Sequence, residues 1–158
     1  MTFDIDAVRA QFPALQTSTV YLDNPGGTQV PQRVIDRMTD YLVRCNANKG
    51  GGFRTSSDSD AVIAAAHAAM ADFLNCAPNE VVFGANMTTL TLHVSRSLAK
   101  WLKPGDEIVV TRLDHDANVA PWLLAAQDAG ATVRWVDIHE ADVTLRLDDF
   151  EKVITPQT

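Results

Sequence analysis

The sequence predicts an α/β fold on a mainly parallel sheet, and three observations carry that expectation. From residue 80 onward, short apolar runs alternate with segments of helical period: a strand at 81–83, a helix through Leu90, Val94, Leu98 and Trp101, a strand Glu107–Thr111, a helix over 117–129 and a strand at 132–138. Strands that alternate with helices pair in parallel, because the chain must cross back over the sheet between them. The separators are turn chemistry: Lys103-Pro104-Gly105-Asp106 ends one helix, and Gly130 follows another at the position that favours a left-handed residue. Finally, Glu107–Thr111 runs into a polar corner, Asp114-His115-Asp116, and then into a helix with Pro121 in its first turn, where a missing N–H costs nothing.

The earlier part of the chain reads as helices and turns. Ile5, Val8, Phe12 and Leu15 recur at helical spacing and predict a helical arm over 3–16. Tyr21-Leu22-Asp23 reads as a brief strand that breaks at Asn24-Pro25-Gly26-Gly27. A helix over 31–44 follows, with Val34, Ile35, Met38, Tyr41 and Leu42 on one face. Residues 45–57, with Lys49-Gly50-Gly51-Gly52 at the centre, read as a loop. Fixing adjacent glycines costs much entropy, so that loop is expected to be mobile or ordered by another body. An alanine-rich helix over 59–74 turns Val62, Ala66, Ala69, Met70 and Phe73 inward. At the far end, a segment through Leu145 and Leu147 leads into a helix over 148–153.

Composition narrows the functional classes. The chain has 158 residues, 46% of them hydrophobic, enough for one domain with a real core. No apolar run approaches the ~20 residues of a membrane span, and the first residues carry no basic and apolar leader. A cytoplasmic setting without a membrane partner is the expectation. The net charge of −7 argues against nucleic acid as the main partner. Cys45 and Cys76 form neither a metal spacing nor a disulfide framework and read as small buried groups. His67, His93 and His139 have no clustered partners and read as structural; no metal site and no serine nucleophile elbow is expected.

Two stretches remain as candidates for chemistry. Ligands of open α/β sheets bind outside the carboxyl ends of strands, which makes His115 the first candidate, with a surface turn as its plainer reading. Asn118 reads equally as a helix cap or a ligand contact. Asp114 and Asp116 are too exposed by context to form an acid–base pair. The turn Gly84-Ala85-Asn86-Met87-Thr88-Thr89 joins a strand to a helix. Its unpaired N–H groups and the helix dipole suit a phosphate, and the Thr88 hydroxyl would add a bond. The alternative is simple N-capping by Asn86.

Taken together, three runs resemble the class V aminotransferase family, and within it the cysteine desulfurases and desulfurase-like proteins. They are Tyr21-Leu22-Asp23-Asn24-Pro25-Gly26-Gly27-Thr28-Gln29-Val30-Pro31, Phe83-Gly84-Ala85-Asn86-Met87-Thr88-Thr89, and Asp114-His115-Asp116-Ala117-Asn118-Val119-Ala120-Pro121-Trp122. The last is the most specific, since desulfurases carry a similar acid-His-His-Ala-Asn run closed by Pro-Trp. The resemblance covers the chain from about Phe3 to its end. It implies the fold-type-I scaffold of enzymes that use pyridoxal 5'-phosphate (PLP) on an amino-acid substrate, as homodimers. Residues 1–20 would be an arm on the small-domain side, and 21–158 an incomplete PLP-binding large domain. Asn86, Met87 and Thr88 would bind the cofactor phosphate and His115 would stack on its ring. Asn24, Gly26 and Gly27 would line the substrate side, and the loop at 50–55 would approach a neighbouring subunit. Asp116 stands where desulfurases carry a second His, and Met87-Thr88-Thr89 where many relatives have Thr-Thr-Glu, which suggests a divergent desulfurase-like branch.

The resemblance also implies residues that the chain does not hold. The Schiff-base lysine, the Asp that pairs with the pyridine nitrogen and the sulfur-carrying Cys belong to the family's second half. Lys49, Lys100, Lys103 and Lys152 match none of these positions. The expectation is therefore the N-terminal part of a longer PLP enzyme, acting as a lyase or an aminotransferase when whole and inactive alone, with unpaired strand edges and exposed apolar surface. The alternatives are a non-catalytic α/β module that binds a phosphorylated ligand or a partner chain, and a regulatory chain that pairs with an intact relative.

Overall fold

The computed structural model describes residues 3–158. Two compact units divide the chain, Met1–Val81 and Val82–Thr158.

In the first unit, α1 (Ile5–Arg9) starts at Asp4, whose side chain accepts from the Ala7 N–H at 3.0 Å. The helix expected over 3–16 does not continue. Pro13 disfavours the helical conformation at the residue before it, and Phe12 is extended (φ −108°, ψ 106°). The chain resumes as a 3-10 turn, Pro13–Gln16. The strand expected at 21–23 is absent as well: Leu22 is 91% exposed, and no strand among the described residues pairs with it. An extended apolar run becomes a strand only when a ladder partner satisfies its backbone. A second 3-10 turn, Asn24–Gly26, follows instead.

Helix α2 (Gln32–Arg44) is tied back to the α1 region by the Gln32 N–H, which donates to the Gln11 carbonyl at 2.8 Å. Its apolar face is formed as expected but is not buried; Met38 and Leu42 are 62% and 60% exposed. Helix α3 (Arg54–Leu74) begins five residues earlier than the spacing predicts and closes on Asn75 in the left-handed conformation. That early start orders the glycine loop. Both carboxylate oxygens of Asp60 accept from the Gly50 N–H, at 3.2 and 3.1 Å. The Ser56 hydroxyl accepts from the Gly51 N–H at 2.7 Å and donates to the Asn48 carbonyl at 2.6 Å. Ser59 meets the Tyr41 hydroxyl at 3.2 Å, and both serines are fully buried. The loop is held by its own helix.

In the second unit, the strand expected at 81–83 is not formed, and Val82 lies 74% exposed. Helix α4 (Met87–Leu98) leads to β1 (Glu107–Thr111), α5 (Ala120–Ala129) and β2 (Thr132–Val136). The strands pair in parallel from Glu107 against Thr132 to Thr111 against Val136. α5 packs on both strands and α6 (Leu147–Val153) on β2. Val110, Val136, Val119, Ala125 and Ala126 form the buried core; alanine on α5 lets the helix approach the sheet closely. A short antiparallel pair, β3 (Ile138–His139) with β4 (Thr144–Leu145), occupies the segment after β2.

Glu107 fastens the start of β1. Its carboxylate accepts from Arg134 at 2.6 Å and from the Thr155 hydroxyl at 2.7 Å, and its N–H donates to the Gln157 carbonyl at 2.9 Å. Further along β1 the parallel register turns the peptide groups of Val109 and Thr111 away from β2, toward a groove of about 380 Å³ lined by Asp114, Asn118 and Trp122. Among the described residues no strand other than β2 pairs with β1.

Two outcomes test these features. Val143, in the β3–β4 turn, is a β-branched residue at φ 58° and 56% exposed. Val143→Asn should raise stability by about 1 kcal/mol in urea unfolding, because asparagine tolerates this conformation and little burial is lost. Glu107 is held below the usual carboxylate range by the Arg134 hydrogen bond first and Thr155 second. Its stabilisation is therefore present above the ordinary carboxylate pKa and fades as pH falls through the lower folded value. Glu107→Gln should unfold at lower urea than the parent at neutral pH, and the gap should close below about pH 4.

Candidate functional site

The corner that leaves β1 is built by side chains that hydrogen-bond their own backbone. The Thr111 hydroxyl accepts from the N–H groups of Leu113 and Asp114, at 3.2 and 3.1 Å, and donates to Asp114 Oδ2 at 2.5 Å. Asp114 Oδ1 accepts from Asn118 Nδ2 at 3.1 Å, and Asn118 Oδ1 from Trp122 Nε1 at 3.4 Å. Hydrogen bonds from Thr111 first, then Asn118, hold the Asp114 carboxyl below its ordinary range. A polar chain thus links the strand end to the first turns of α5.

His115 sits at the apex of this corner and is exposed. It is extended (φ −62°, ψ 140°) and precedes the 3-10 turn Asp116–Asn118, whose presence delays α5 to Ala120 rather than residue 117. Its Nδ1 accepts from the Ala117 N–H at 3.1 Å, and its carbonyl accepts from the Asn118 N–H at 2.8 Å. An acceptor at Nδ1 puts the proton of the neutral ring on Nε2. Nε2 is left to donate outward.

Asn86 is the N-cap of α4, with Oδ1 accepting from the Thr89 N–H at 2.9 Å. That bond satisfies one orphan donor of the first turn. The N–H groups of Met87 and Thr88 have no intrahelical acceptor, both residues are exposed, and the Thr88 hydroxyl makes no hydrogen bond among the described residues. Gly84 is required just before this turn, since a Cβ there would lie 2.5 Å from the Leu90 side chain. Helix α4 packs on both α5 and the 116–118 turn. Leu92, Arg96 and Ala99 share a groove with Pro121, Leu124 and Ala125. α4 and the 116–118 turn that follows His115 are thus in contact within the second unit.

Asn24, Gly26 and Gly27 belong to the first unit. The Asn24 carbonyl accepts from the Gly27 N–H at 3.0 Å and from the Thr28 hydroxyl at 3.4 Å. A Cβ at Gly26 would stand 2.8 Å from Asp23 Oδ2, so the Asp23 side chain would have to shift. Asn24 lines a cavity of about 360 Å³ together with Arg9, Phe12, Tyr21 and Thr28.

Of the lysines, Lys49 lies in the glycine loop, Lys100 and Lys103 follow α4, and Lys152 pairs with Asp149 at 2.9 Å. The Asp149 hydrogen bond raises the Lys152 pKa, opposite to what an amine nucleophile needs. No group of three His, Cys, Asp or Glu among the described residues could hold a metal ion, and no described helix is long and apolar enough to cross a membrane. Cys45 and Cys76 are unpaired and half-buried. The tie from Asp114 through Asn118 to Trp122 escaped the sequence reading. Its signal was present in the two successive spacings of four residues.

The class-V aminotransferase family matches residues 20–158. Among curated proteins, the chain is 37% identical over 138 residues to the aminotransferase-like protein FGM3 of Gibberella zeae, covering 85% of this chain and 34% of that protein. It is 36% identical over 164 residues to a cysteine desulfurase of Synechococcus elongatus, covering 99% of this chain and 26% of that one. In structure it is similar to the cysteine desulfurase CsdA of Escherichia coli, at a TM-score of 0.81 and 29% identity, over 99% of this chain and 40% of that one. The chain spans between 24% and 40% of the length of such curated relatives. Carrying part of the fold-type-I α/β architecture and matched across most of its length, this chain belongs to the class-V aminotransferase family.

Proposed function

We propose that this chain supplies the phosphate- and ring-binding portion of a PLP-dependent enzyme acting on an amino acid, with desulfurase-like or related lyase or transferase chemistry. The supporting observation is that α4, whose first-turn amides at Met87 and Thr88 are left over by its cap, contacts the 116–118 turn that follows the exposed His115. A helix N-terminus suits a phosphate through its unpaired donors and its dipole, and an imidazole face suits an aromatic ring. The residues present fit the cofactor's two ends.

In this reading the N–H groups of Met87 and Thr88 and the Thr88 hydroxyl hold the phosphate. Asn86 shapes that turn by keeping the Thr89 N–H for itself. His115 stacks against the pyridine ring; Nδ1 is committed to the Ala117 N–H, so the ring plane is fixed while Nε2–H stays free to donate. Asn24, Gly26 and Gly27 form the substrate-side loop. PLP, when bound, takes up the electrons released as a bond at the amino acid's Cα breaks. The family's catalytic lysine matches none of the four lysines here. Activity of this chain therefore depends on residues it does not hold, and the family's homodimer and a cytoplasmic setting are part of the same proposal. Residues 1–20 would belong to the small-domain side and 21–158 to the large domain.

The free amides of α4 alone would also serve a non-catalytic module that binds a phosphorylated ligand. His115 separates the two readings. With the purified chain, His115→Ala should weaken PLP binding about fivefold, the scale of one lost aromatic contact, and leave the affinity for inorganic phosphate unchanged. Thr88→Ala should weaken both. Equal losses for PLP and phosphate in His115→Ala would favour the module.

A further inference from the structure

We infer that Asp114 is a positioning residue for His115: its single carboxylate sets the direction of the side-chain hydrogen bonds that link Thr111, Asn118 and Trp122 in the corner between β1 and α5. The inference rests on the reading above only where His115 is said to meet the cofactor ring.

The Thr111 hydroxyl has one proton and accepts from two amides, those of Leu113 and Asp114. Its proton must go to an acceptor, and Asp114 Oδ2 stands there at 2.5 Å. The Asn118 amide could face either way by shape alone, but its partners decide. A carboxylate only accepts and an indole N–H only donates. Nδ2 therefore faces Asp114 Oδ1, and Oδ1 faces Trp122 Nε1. Thr111, Asn118 and Trp122 all take their orientation from the one carboxylate.

His115 lies within that span. Its ring is held by the Ala117 N–H and its carbonyl by the Asn118 N–H. Both amides belong to the 116–118 turn, which is drawn against the residue before His115 by the Asp114–Asn118 bond. Loosening that tie loosens the acceptor bond at Nδ1, which selects the Nε2–H tautomer.

An isosteric change exposes the dependence. In Asp114→Asn the new amide oxygen can still take the Thr111 proton, but its nitrogen then faces Asn118 Nδ2, donor against donor. Asn118 must turn over and present its own nitrogen to the Trp122 indole N–H. The disturbance therefore reaches Trp122, eight positions along the chain, and a merely local role would leave that indole untouched.

The test is nitrogen-edited NMR of the purified chain, with PLP titrated in parallel. Asp114→Asn is expected to move the Trp122 indole N–H signal, to convert the single His115 tautomer into a mixture, and to weaken PLP binding by up to the full effect of His115→Ala, about fivefold. Asp114→Glu, which keeps two acceptor oxygens, should recover the single tautomer. Asn118→Ala cuts the same tie from the other side and should release the tautomer too, which keeps the test decisive if Asp114→Asn fails to fold. An unchanged His115 tautomer in the folded variants would overturn the inference, whatever happens to affinity. If His115→Ala leaves PLP binding intact while the tautomer and indole respond as stated, the positioning role stands and the ring-stacking role falls.

Discussion

Parallel pairing between β1 and β2 obliges the chain to travel back across the sheet between the two strands. That obligation places α5 against both strands and leaves a corner at the carboxyl end of β1, where the chain must leave the ladder and turn into a helix. The corner is polar because its backbone groups have left the ladder and need other partners. The Thr111 hydroxyl and His115 Nδ1 provide them, and Asp114 and Asn118 brace the Thr111 side chain. The geometry that makes this end of the second unit a candidate site thus follows from the sheet, and the side chains there finish what the ladder cannot satisfy.

The sequence is legible where local periodicity and tertiary packing agree. α2, β1, β2 and α5 sit close to their expected positions, since each combines a clear period with turn chemistry at its ends. It is less legible where an element depends on something distant. The runs at 21–23 and 81–83 are apolar enough for strands but meet no neighbouring strand among the described residues, and Leu22 and Val82 lie exposed. The break of the first helix was visible in principle, because Pro13 biases Phe12 away from a helical conformation; four apolar residues at helical spacing masked it.

The candidate site divides along the same line. His115, Asn86 and Thr88 are legible because strand–helix corners and helix starts carry recognisable residue types. The bonds that hold them are less so. Thr111 to Asp114 is a local turn, but the tie from Asp114 through Asn118 to Trp122 depends on a 3-10 turn at Asp116–Asn118 that shifts the start of α5 by three residues. No propensity of the single residues announces that shift.

The glycine loop of the first unit changes the thermodynamics of whatever meets it. A flexible triple-glycine segment would have to lose its freedom at the moment of association, and that loss would subtract from affinity. Here Ser56 and Asp60 fix Gly50 and Gly51 as α3 forms, so the entropic cost is borne during folding. A surface that reaches this loop encounters a set shape. Docking on that shape would be rigid-body, with an encounter rate unencumbered by loop closure.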